Sequence, residues 1–149
     1  MRIGIDPGVG GAIAFLTDAL EFIVVHEMPT MAHTGKRRQV NPAELANLLS
    51  RTPIQMAYVE RVGSMPHQGV ASSFNFGMSY GVIQGVLAAL GIPMVLITPV
   101  TWKKKAGLIG KEKDAARTLA QQLYPQAPLG KKKDIGKADA LLIARYGGL

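Results

Sequence analysis

The sequence predicts an α/β fold built on a mixed β-sheet, in which antiparallel and parallel strands lie side by side. Three apolar, strand-like segments come first, at about residues 2–6, 11–16 and 21–28, and the turns between them are short. Short turns of this kind join antiparallel strands. A helical segment then leads to a fourth strand at residues 54–60, and such a crossover allows the fourth strand to lie parallel to the first.

The first strand ends in an acidic residue, Asp6, at the point where the chain turns. Ile3 and Ile5 make the strand apolar, and Pro7 marks its end, because proline has no N–H to donate to a neighbouring strand. A carboxylate at the end of a central strand is costly to bury alone. Asp6 is therefore either a turn residue that caps the Pro-Gly bend or a residue that holds a metal or takes part in chemistry.

The fourth strand repeats this arrangement, since its apolar run again ends in a carboxylate, Glu60. Parallel pairing with the first strand would place Asp6 and Glu60 side by side at one edge of the sheet. Two neighbouring carboxylates repel, and one of them takes up a proton unless a cation lies between them. A divalent metal ion with oxygen ligands would remove that repulsion, and the pair therefore predicts a metal site.

The long segment at about residues 71–90 is predicted to be a helix with glycines along one face. Gly77, Gly81 and Gly85 follow each other at intervals of four residues. Glycine within a helix is less favourable than alanine by about 1 kcal/mol, so the three glycines indicate that another backbone comes close. That backbone could belong to the sheet, to the last helix or to a second subunit, and packing within the subunit is the favoured interpretation.

Two further acidic residues lie near the start of the last predicted helix, which covers about residues 134–146. Asp139 falls in or near its first turn, and Asp134 falls in the preceding loop or at the cap. Acidic residues at a helix start are favoured by the helix dipole, so capping alone could explain them. Together with Asp6 and Glu60, however, they make four carboxylates able to converge on one site.

The composition predicts an intracellular, cytoplasmic protein with one domain, residues 1–149. The chain has no cysteine, which excludes disulfides and thiolate metal sites, and its start does not have the pattern of a signal peptide. Residues 81–100 are nearly uncharged, but Gly91 and Pro93 interrupt them. A buried helix followed by a buried strand is therefore predicted there, and no association with a membrane.

The net charge of +7 is concentrated in residues 103–137, which contain ten lysines and arginines against three acidic residues. Lysines that only increase solubility are common on protein surfaces, but this clustering favours a nucleic acid as partner. Trp102 precedes the segment, and an apolar anchor is favoured over a stacking surface for a base. A second group of cations lies within residues 29–40, which are predicted to be a polar loop that could touch phosphates or could simply be mobile.

The ordered set of motifs resembles the RuvC family of Holliday junction resolvases, which have the RNase H-like, or retroviral integrase, fold. The resemblance rests on Asp6-Pro7-Gly8 after the first strand, on Glu60 after the fourth, and on residues 138–144 in the last helix. Residues 74–81 and 99–103 also stand where the family has its central helix and a Trp-Lys element. The resemblance covers nearly the whole chain, which is more similar in length to phage-type members.

This resemblance implies a mixed five-stranded sheet flanked by helices, in a homodimer that resolves branched DNA by paired nicks in a four-way junction. It implies two divalent metal ions per active site, normally Mg²⁺ with Mn²⁺ as a substitute, and no nucleotide cofactor. Asp6, Glu60 and Asp139 match the metal ligands of the family. Asp134 is assigned as the fourth ligand, because Ile135 and Gly136 occupy the nearer positions before Asp139.

The resemblance also implies that Lys103 and Lys113 contact the scissile phosphate or its neighbour, so that both count as catalytic residues beside the four carboxylates. The other expected DNA contacts lie in the basic segment and in the loop after Glu60: Lys104, Lys105, Lys111, Lys131, Lys132, Lys133, Met65 and His67. Met65 and His67 are expected to reach the centre of the junction. Lysine contacts to phosphate give affinity and salt sensitivity, and they do not select a sequence.

Three other functions share features with a junction resolvase. A related nuclease that acts on flaps, forks or RNA would use the same catalytic residues, so the sequence does not separate it from a resolvase. A non-catalytic junction-binding protein would keep the fold, but the presence of Asp6, Glu60 and Asp139 argues against it. An actin-like ATPase begins with a similar strand, but 149 residues are too few for the two lobes that hold its nucleotide.

Overall fold

Five strands form one mixed sheet in the computed structural model, which describes residues 1–63 and 66–148. The elements in chain order are β1 (Arg2–Asp6), β2 (Ala12–Leu16), β3 (Phe22–Glu27), β4 (Thr30–Ala32), β5 (Arg38–Val40), α1 (Pro42–Leu49), β6 (Met56–Glu60), α2 (Val70–Ala89), β7 (Met94–Ile97), α3 (Pro99–Ala106), α4 (Ala115–Leu123), a short 3-10 helix (Lys132–Asp134) and α5 (Ile135–Tyr146). The sheet has the strand order β3-β2-β1-β6-β7, and β4 and β5 form a separate two-stranded ribbon.

The central strand β1 pairs with β2 in the antiparallel direction and with β6 in the parallel direction. Helix α1 lies in the crossover to β6, and it begins where the sequence indicates. The side chain of Asn41 accepts a hydrogen bond of 3.2 Å from the backbone N–H of Glu44, and Pro42 occupies the first helical position. The predicted α/β fold with a mixed five-stranded sheet is confirmed.

Helices cover both faces of the sheet, because successive side chains of a strand point to opposite faces. Along β2, Ala12, Ala14 and Leu16 pack in a core with residues of α4 and α5. Ile13 and Phe15, which alternate with them, pack in a second core with residues of α1 and α2. The edge of the sheet where β1 and β6 end therefore lies between two layers of helices.

The last helix crosses the central strand so closely that the strand needs a glycine there. A Cβ atom at Gly4 would overlap the carbonyl oxygen of Ala140 and the backbone nitrogen of Ala144. Any larger residue at position 4 would therefore push α5 away from β1. The close crossing sets the height of α5 above the sheet, and with it the position of Asp139.

The segment at residues 29–40 differs from its prediction as a polar loop, because it contains the strands β4 and β5. In this ribbon Thr30 pairs with Val40, and Ala32 pairs with Arg38. Each strand has three residues and little apolar alternation, so the usual sequence pattern of a strand is absent. The ribbon forms because it packs on α2, which is a contact between segments distant in sequence.

The glycine face of α2 is also different from the favoured expectation. A Cβ atom at Gly77, Gly81 or Gly85 would meet no atom within 4 Å. Among the described residues, neither the sheet nor α5 lies against this face, so the expectation of packing within the subunit is wrong. Although α2 is apolar, no described helix has both the length and the hydropathy needed to cross a membrane.

Candidate active site

Asp6 and Glu60 end two neighbouring parallel strands at the same edge of the sheet. Ile5 of β1 pairs with Val59 of β6, and the next residue of each strand is one of the two acids. Both side chains are partly buried. The strand register therefore brings these two carboxylates to adjacent strand ends, in the position that the apolar runs before them indicate.

Asp139 joins the two strand-terminal acids from the first turns of α5. The start of this helix packs directly on the turn after β1, since a Cβ atom at Gly136 would lie 2.5 Å from the carbonyl oxygen of Gly10 and 3.5 Å from Oδ2 of Asp6. Position 136 thus has no room for a side chain. Asp139 lies one turn further on, and its charge acts on Asp6.

Burial raises the pKa of all three carboxyl groups, and repulsion by neighbouring acids adds to this effect for Asp6 and Asp139. Burial, together with the charges of Asp139 and Glu60, raises the pKa of Asp6 to about 8. Burial and the charge of Glu60 raise the pKa of Asp139 to about 7, and burial also raises the pKa of Glu60. Three carboxylates held in this way are stabilised by a proton or by a cation, which is the electrostatic mark of a functional site.

Glu60 is held in place by Trp102, the one tryptophan of the chain. The indole Nε1–H donates a hydrogen bond of 2.7 Å to Oε2 of Glu60, and this bond opposes the effect of burial on the pKa of Glu60. Trp102 is fully buried in α3, whose start is capped by the side chain of Thr98. It is thus an anchor and no stacking surface, and it leaves Oε1 of Glu60 free of this bond.

Lys103 and Lys113 lie on the side of the site formed by α3 and the segment before α4. With Asp139 they line an open cavity of about 320 Å³. Both lysines lower the pKa of Asp6 and Asp139, against the larger effect of burial. The Nζ atom of Lys103 also lies 5.5 Å from the centre of the Trp102 ring. The two ammonium groups could therefore bind a phosphate beside the carboxylates.

The three carboxylates fit a divalent cation by their chemistry, since each offers charged oxygen ligands and burial disfavours the charged form of each. They do not form a finished cage. Within residues 1–63 and 66–148, no three acidic, histidine or cysteine side chains lie close enough together to hold a metal ion. The site is therefore a partial ligand set, which substrate oxygens and water would complete.

Asp134 is not among the carboxylates that the structure brings together. Its Oδ2 accepts a hydrogen bond of 2.9 Å from the backbone N–H of Lys131, and its Oδ1 lies 3.3 Å from Nζ of Lys137. These contacts lower the pKa of Asp134, in contrast to the three other acids. The contacts are those of a helix-capping residue, so the assignment of Asp134 as fourth metal ligand has no support from this geometry.

The remaining predicted DNA contacts lie on several separate elements. Lys104 and Lys105 are exposed on α3, and Lys111 lines the cavity beside Lys113. The exposed lysines at positions 131–133 lie around the 3-10 helix, and Lys133 lines a groove with Gly10 and Gly11 of the turn after β1. His67 is exposed with a φ of 66°, and Met65 lies outside the described residues.

Comparison with known proteins finds relatives of this chain in sequence and in structure. No family model matches the chain. The Holliday junction resolvase MOC1 of the chloroplast of Chlamydomonas reinhardtii is 38% identical over an alignment of 125 residues, which covers 78% of this chain. The chain spans only 14% of the length of that relative.

Two structures of RuvC from Thermus thermophilus are among the structural relatives. RuvC in complex with a Holliday junction substrate has a TM-score of 0.67 and 16% sequence identity, over 96% of this chain and 89% of the other. A second RuvC structure has a TM-score of 0.59, also at 16% identity, over 96% and 90% of the two chains. This chain is thus a homologue of a Holliday junction resolvase and has the fold of RuvC, which confirms the resemblance seen in the sequence.

Proposed function

We propose that this chain is a metal-dependent DNA endonuclease that resolves four-way junctions by paired, symmetric nicks, with residues 1–149 acting as one nuclease domain. The observation that carries the proposal is the convergence of three coupled carboxylates beside two lysines at the sheet edge of a RuvC fold. The sequence likeness to a Holliday junction resolvase supports DNA junctions as the substrate.

Asp6, Glu60 and Asp139 are the metal ligands in this proposal. When bound, two divalent ions, Mg²⁺ or in its place Mn²⁺, supply an activated water and neutralise the charge that develops on the phosphate. The residues of the chain hold and space the ligand oxygens. Trp102 fixes one oxygen of Glu60, and Lys103 and Lys113 bind the phosphate at the open side of the carboxylates.

The proposed active form is a homodimer, because a junction presents two strands to be cut. The support is the face of α2 that nothing in the described chain covers. It carries Val70, Phe74, Gly77, Gly81, Gly85 and Ala88. Val70 and Phe74 are 89% and 71% exposed, and α2 contains no charged residue. Glycines would allow the same helix of a second copy to approach closely, and an apolar helix face of this kind favours association.

The setting that we propose is the cytoplasm of a bacterial cell or of a phage-infected host. It is supported by the composition: the chain has no cysteine, and a sequence without thiols has no disulfide that would require an oxidising compartment. The lysines of residues 103–133 supply the counter-charge for the duplex arms in this proposal.

Strand cleavage of a synthetic mobile four-way junction tests this function. The junction is incubated with Mg²⁺, with Mn²⁺ or with EDTA, beside flap, fork and linear duplexes of matched sequence. Paired symmetric nicks in the junction alone, lost with EDTA, are the expected result. Equal or better cutting of flaps or forks would contradict junction specificity, and tight junction binding without cutting by either metal would contradict the nuclease.

A further inference from the structure

A second basic surface lies outside the segment that carries the net charge. It is the ribbon of β4 and β5, residues 30–40, which we name the basic ribbon. The two strands are joined by a tight turn, in which the backbone N–H of Arg37 donates to the carbonyl oxygen of Thr34 and Gly35 has a φ of 62°. Residues 33–37, which form this turn, are all exposed.

The basic ribbon has three consecutive cations, Lys36, Arg37 and Arg38, and no acidic residue. All three are exposed, and none of them forms an ion pair with an acid in the part of the chain that the structure describes. Unpaired cations on adjacent residues repel each other, and their charge is available for a partner. A polyanion would remove that repulsion.

The basic ribbon is held rigidly on α2. The side chain of Asn75 donates a hydrogen bond of 2.9 Å to the carbonyl oxygen of Arg38, and the hydroxyl of Ser79 accepts one of 3.1 Å from the backbone N–H of Val40. Nη1 of Arg37 donates to the hydroxyl of Ser72 at 3.1 Å. Contacts to side chains of three successive turns of one helix fix where the ribbon projects.

Strand register places the base of the basic ribbon at the same sheet edge as the carboxylates. Asp6 pairs with Ala12 of β2, and Ala12 pairs with Glu27, the last residue of β3. The ribbon begins three residues after Glu27. Thr30 at its base lines a groove of about 260 Å³ together with Gly10 of the turn after β1 and Lys133. Cations therefore flank the strand ends on two sides.

We propose that the basic ribbon binds the phosphate backbone of a duplex DNA arm, on the side of the active site opposite to Lys103 and Lys113. This proposal rests on the proposed function. The partner is a duplex because the cations are presented in a fixed array with no phenylalanine, tyrosine or tryptophan among residues 30–40, whereas single strands are bound by stacking of their bases on such rings. The ribbon adds affinity and fixes the angle of one arm, and it reads no sequence.

Cross-linking from the tip of the ribbon tests this contact directly. The natural chain has no cysteine, so Thr34→Cys carries a photoreactive maleimide at one site. Ser50→Cys is the matched control. Ser50 is exposed and lies before the start of β6, at the end of this strand opposite to Glu60. We expect cross-links from position 34 to an arm of a bound junction, and few from position 50. Equal yields at the two positions would overturn the proposal.

The salt dependence of junction binding gives an independent measure. Lys36 and Arg37 are changed together to alanine, while Arg38 is kept because it donates to Thr30 across the ribbon. Removing two phosphate contacts should lower affinity at low salt and make the slope of log K against log salt shallower by about 2. Arg51→Ala removes an exposed arginine outside the basic ribbon, after the end of α1, and should leave the slope unchanged.

The outcomes separate this proposal from the one on which it rests. If the wild-type chain binds and cuts junctions while the double variant keeps the wild-type affinity and salt slope, the ribbon is outside the DNA interface and only this inference fails. If the wild-type chain neither binds nor cuts a junction, the proposed function fails and the inference with it. The inference is also overturned if Arg51→Ala makes the salt slope as shallow as the double variant does. The effect would then be one of overall charge.

Discussion

Two aspartates at the start of the last helix lie five residues apart and have opposite surroundings. Asp134 is bound by the backbone N–H of Lys131 and by the ammonium group of Lys137, and these contacts lower its pKa. Asp139 lies among carboxylates, and burial together with the charge of Glu60 raises its pKa to about 7. The same residue type at the same helix end is stabilised as an anion in one place and destabilised in the other.

The difference distinguishes an acid whose charge the fold satisfies from one whose charge it leaves unsatisfied. The anion of Asp134 already has its partners within the chain, so a metal ion at that position would have to displace them. The anions of Asp6, Glu60 and Asp139 oppose each other, and a bound cation would relieve that opposition. Acids whose charge is unsatisfied by the fold are therefore the stronger candidates for metal ligands.

The largest expected effect comes from removing one charge of the coupled group. Asp6→Asn should lower the rate of junction cleavage by more than about 10³-fold, which exceeds the loss usual for one hydrogen-bond donor at a transition state. Junction affinity should stay close to that of the wild type, because the lysines that contact phosphate are unchanged. Cleavage rate and binding affinity are measured on the same labelled junction.

Asp139→Asn should behave in the same way, since both acids belong to one coupled group. Glu21→Gln, which neutralises an exposed acid before β3, serves as the control and should cut at the wild-type rate. Near-normal cleavage by either active-site variant would remove that residue from the metal site and weaken the contrast with Asp134.

A smaller loss is expected from Trp102→Phe, which removes the N–H that holds Glu60. Groups that orient a metal ligand change metal affinity or activity by about 10–100-fold when they are removed. We expect the Mg²⁺ concentration for half-maximal cleavage to rise in this range, while junction affinity is kept. A thermal melt of the same variant shows how much stability is lost with the larger ring.

The fluorescence of the wild-type chain provides a second readout, because Trp102 is its one tryptophan. Its emission should change when Mg²⁺ is added, since the indole N–H contacts a ligand of the proposed site. Glu60→Gln should reduce that response. A Trp102→Phe variant with the wild-type rate and the wild-type metal requirement would show that the hydrogen bond only stabilises the fold.

The raised pKa values predict how the stability of the metal-free chain depends on pH. The pKa of Asp6 rises from 3.8 to about 8 and that of Asp139 from 3.8 to about 7, so the folded state binds more protons than the unfolded state between these limits. Stability should therefore fall as pH rises from about 4 to 8. Thermal melts in EDTA at pH 5, 7 and 9 measure this fall.

Asp6→Asn should reduce this fall, because the variant has one ionising group fewer in the buried cluster. Its melting temperature should exceed that of the wild type at pH 9, with a smaller difference at pH 5. Adding Mg²⁺ should raise the melting temperature of the wild type at pH 9 more than that of the variant, since a ligand of the folded state stabilises it. Equal pH profiles for the two proteins would contradict the coupling of the carboxylates.

The sequence predicts most of the site because its strongest signals are local. Asp6 and Glu60 each follow an apolar run that forms a strand, and strand order then brings them together. The bond from Trp102 to Glu60 joins residues 42 positions apart, and it depends on where α3 packs. No local pattern contains that information, so the sequence offers Trp102 only as an apolar anchor.

The same limit explains the basic ribbon and the two aspartates of the last helix. Strands of only three residues have no usable periodicity, and the basic ribbon exists through its contacts to α2. Asp134 and Asp139 both match the pattern of acids at a helix start. Their difference arises from Lys131 and Lys137 on one side and from Glu60 on the other, which only the folded chain shows.

The smallest effect on cleavage is expected from Asp134→Ala. The variant loses the contact to the backbone N–H of Lys131, and loss of a capping side chain lowers stability by about 1 kcal/mol. Well below the melting temperature, the cleavage rate should stay within a few-fold of the wild-type rate. A thermal melt and a cleavage assay on one preparation of each protein measure stability and rate side by side. A stable but inactive Asp134→Ala would reverse this interpretation: the capping contacts would then be exchanged for a metal ion on substrate binding, and Asp134 would be the fourth ligand that the resemblance implies.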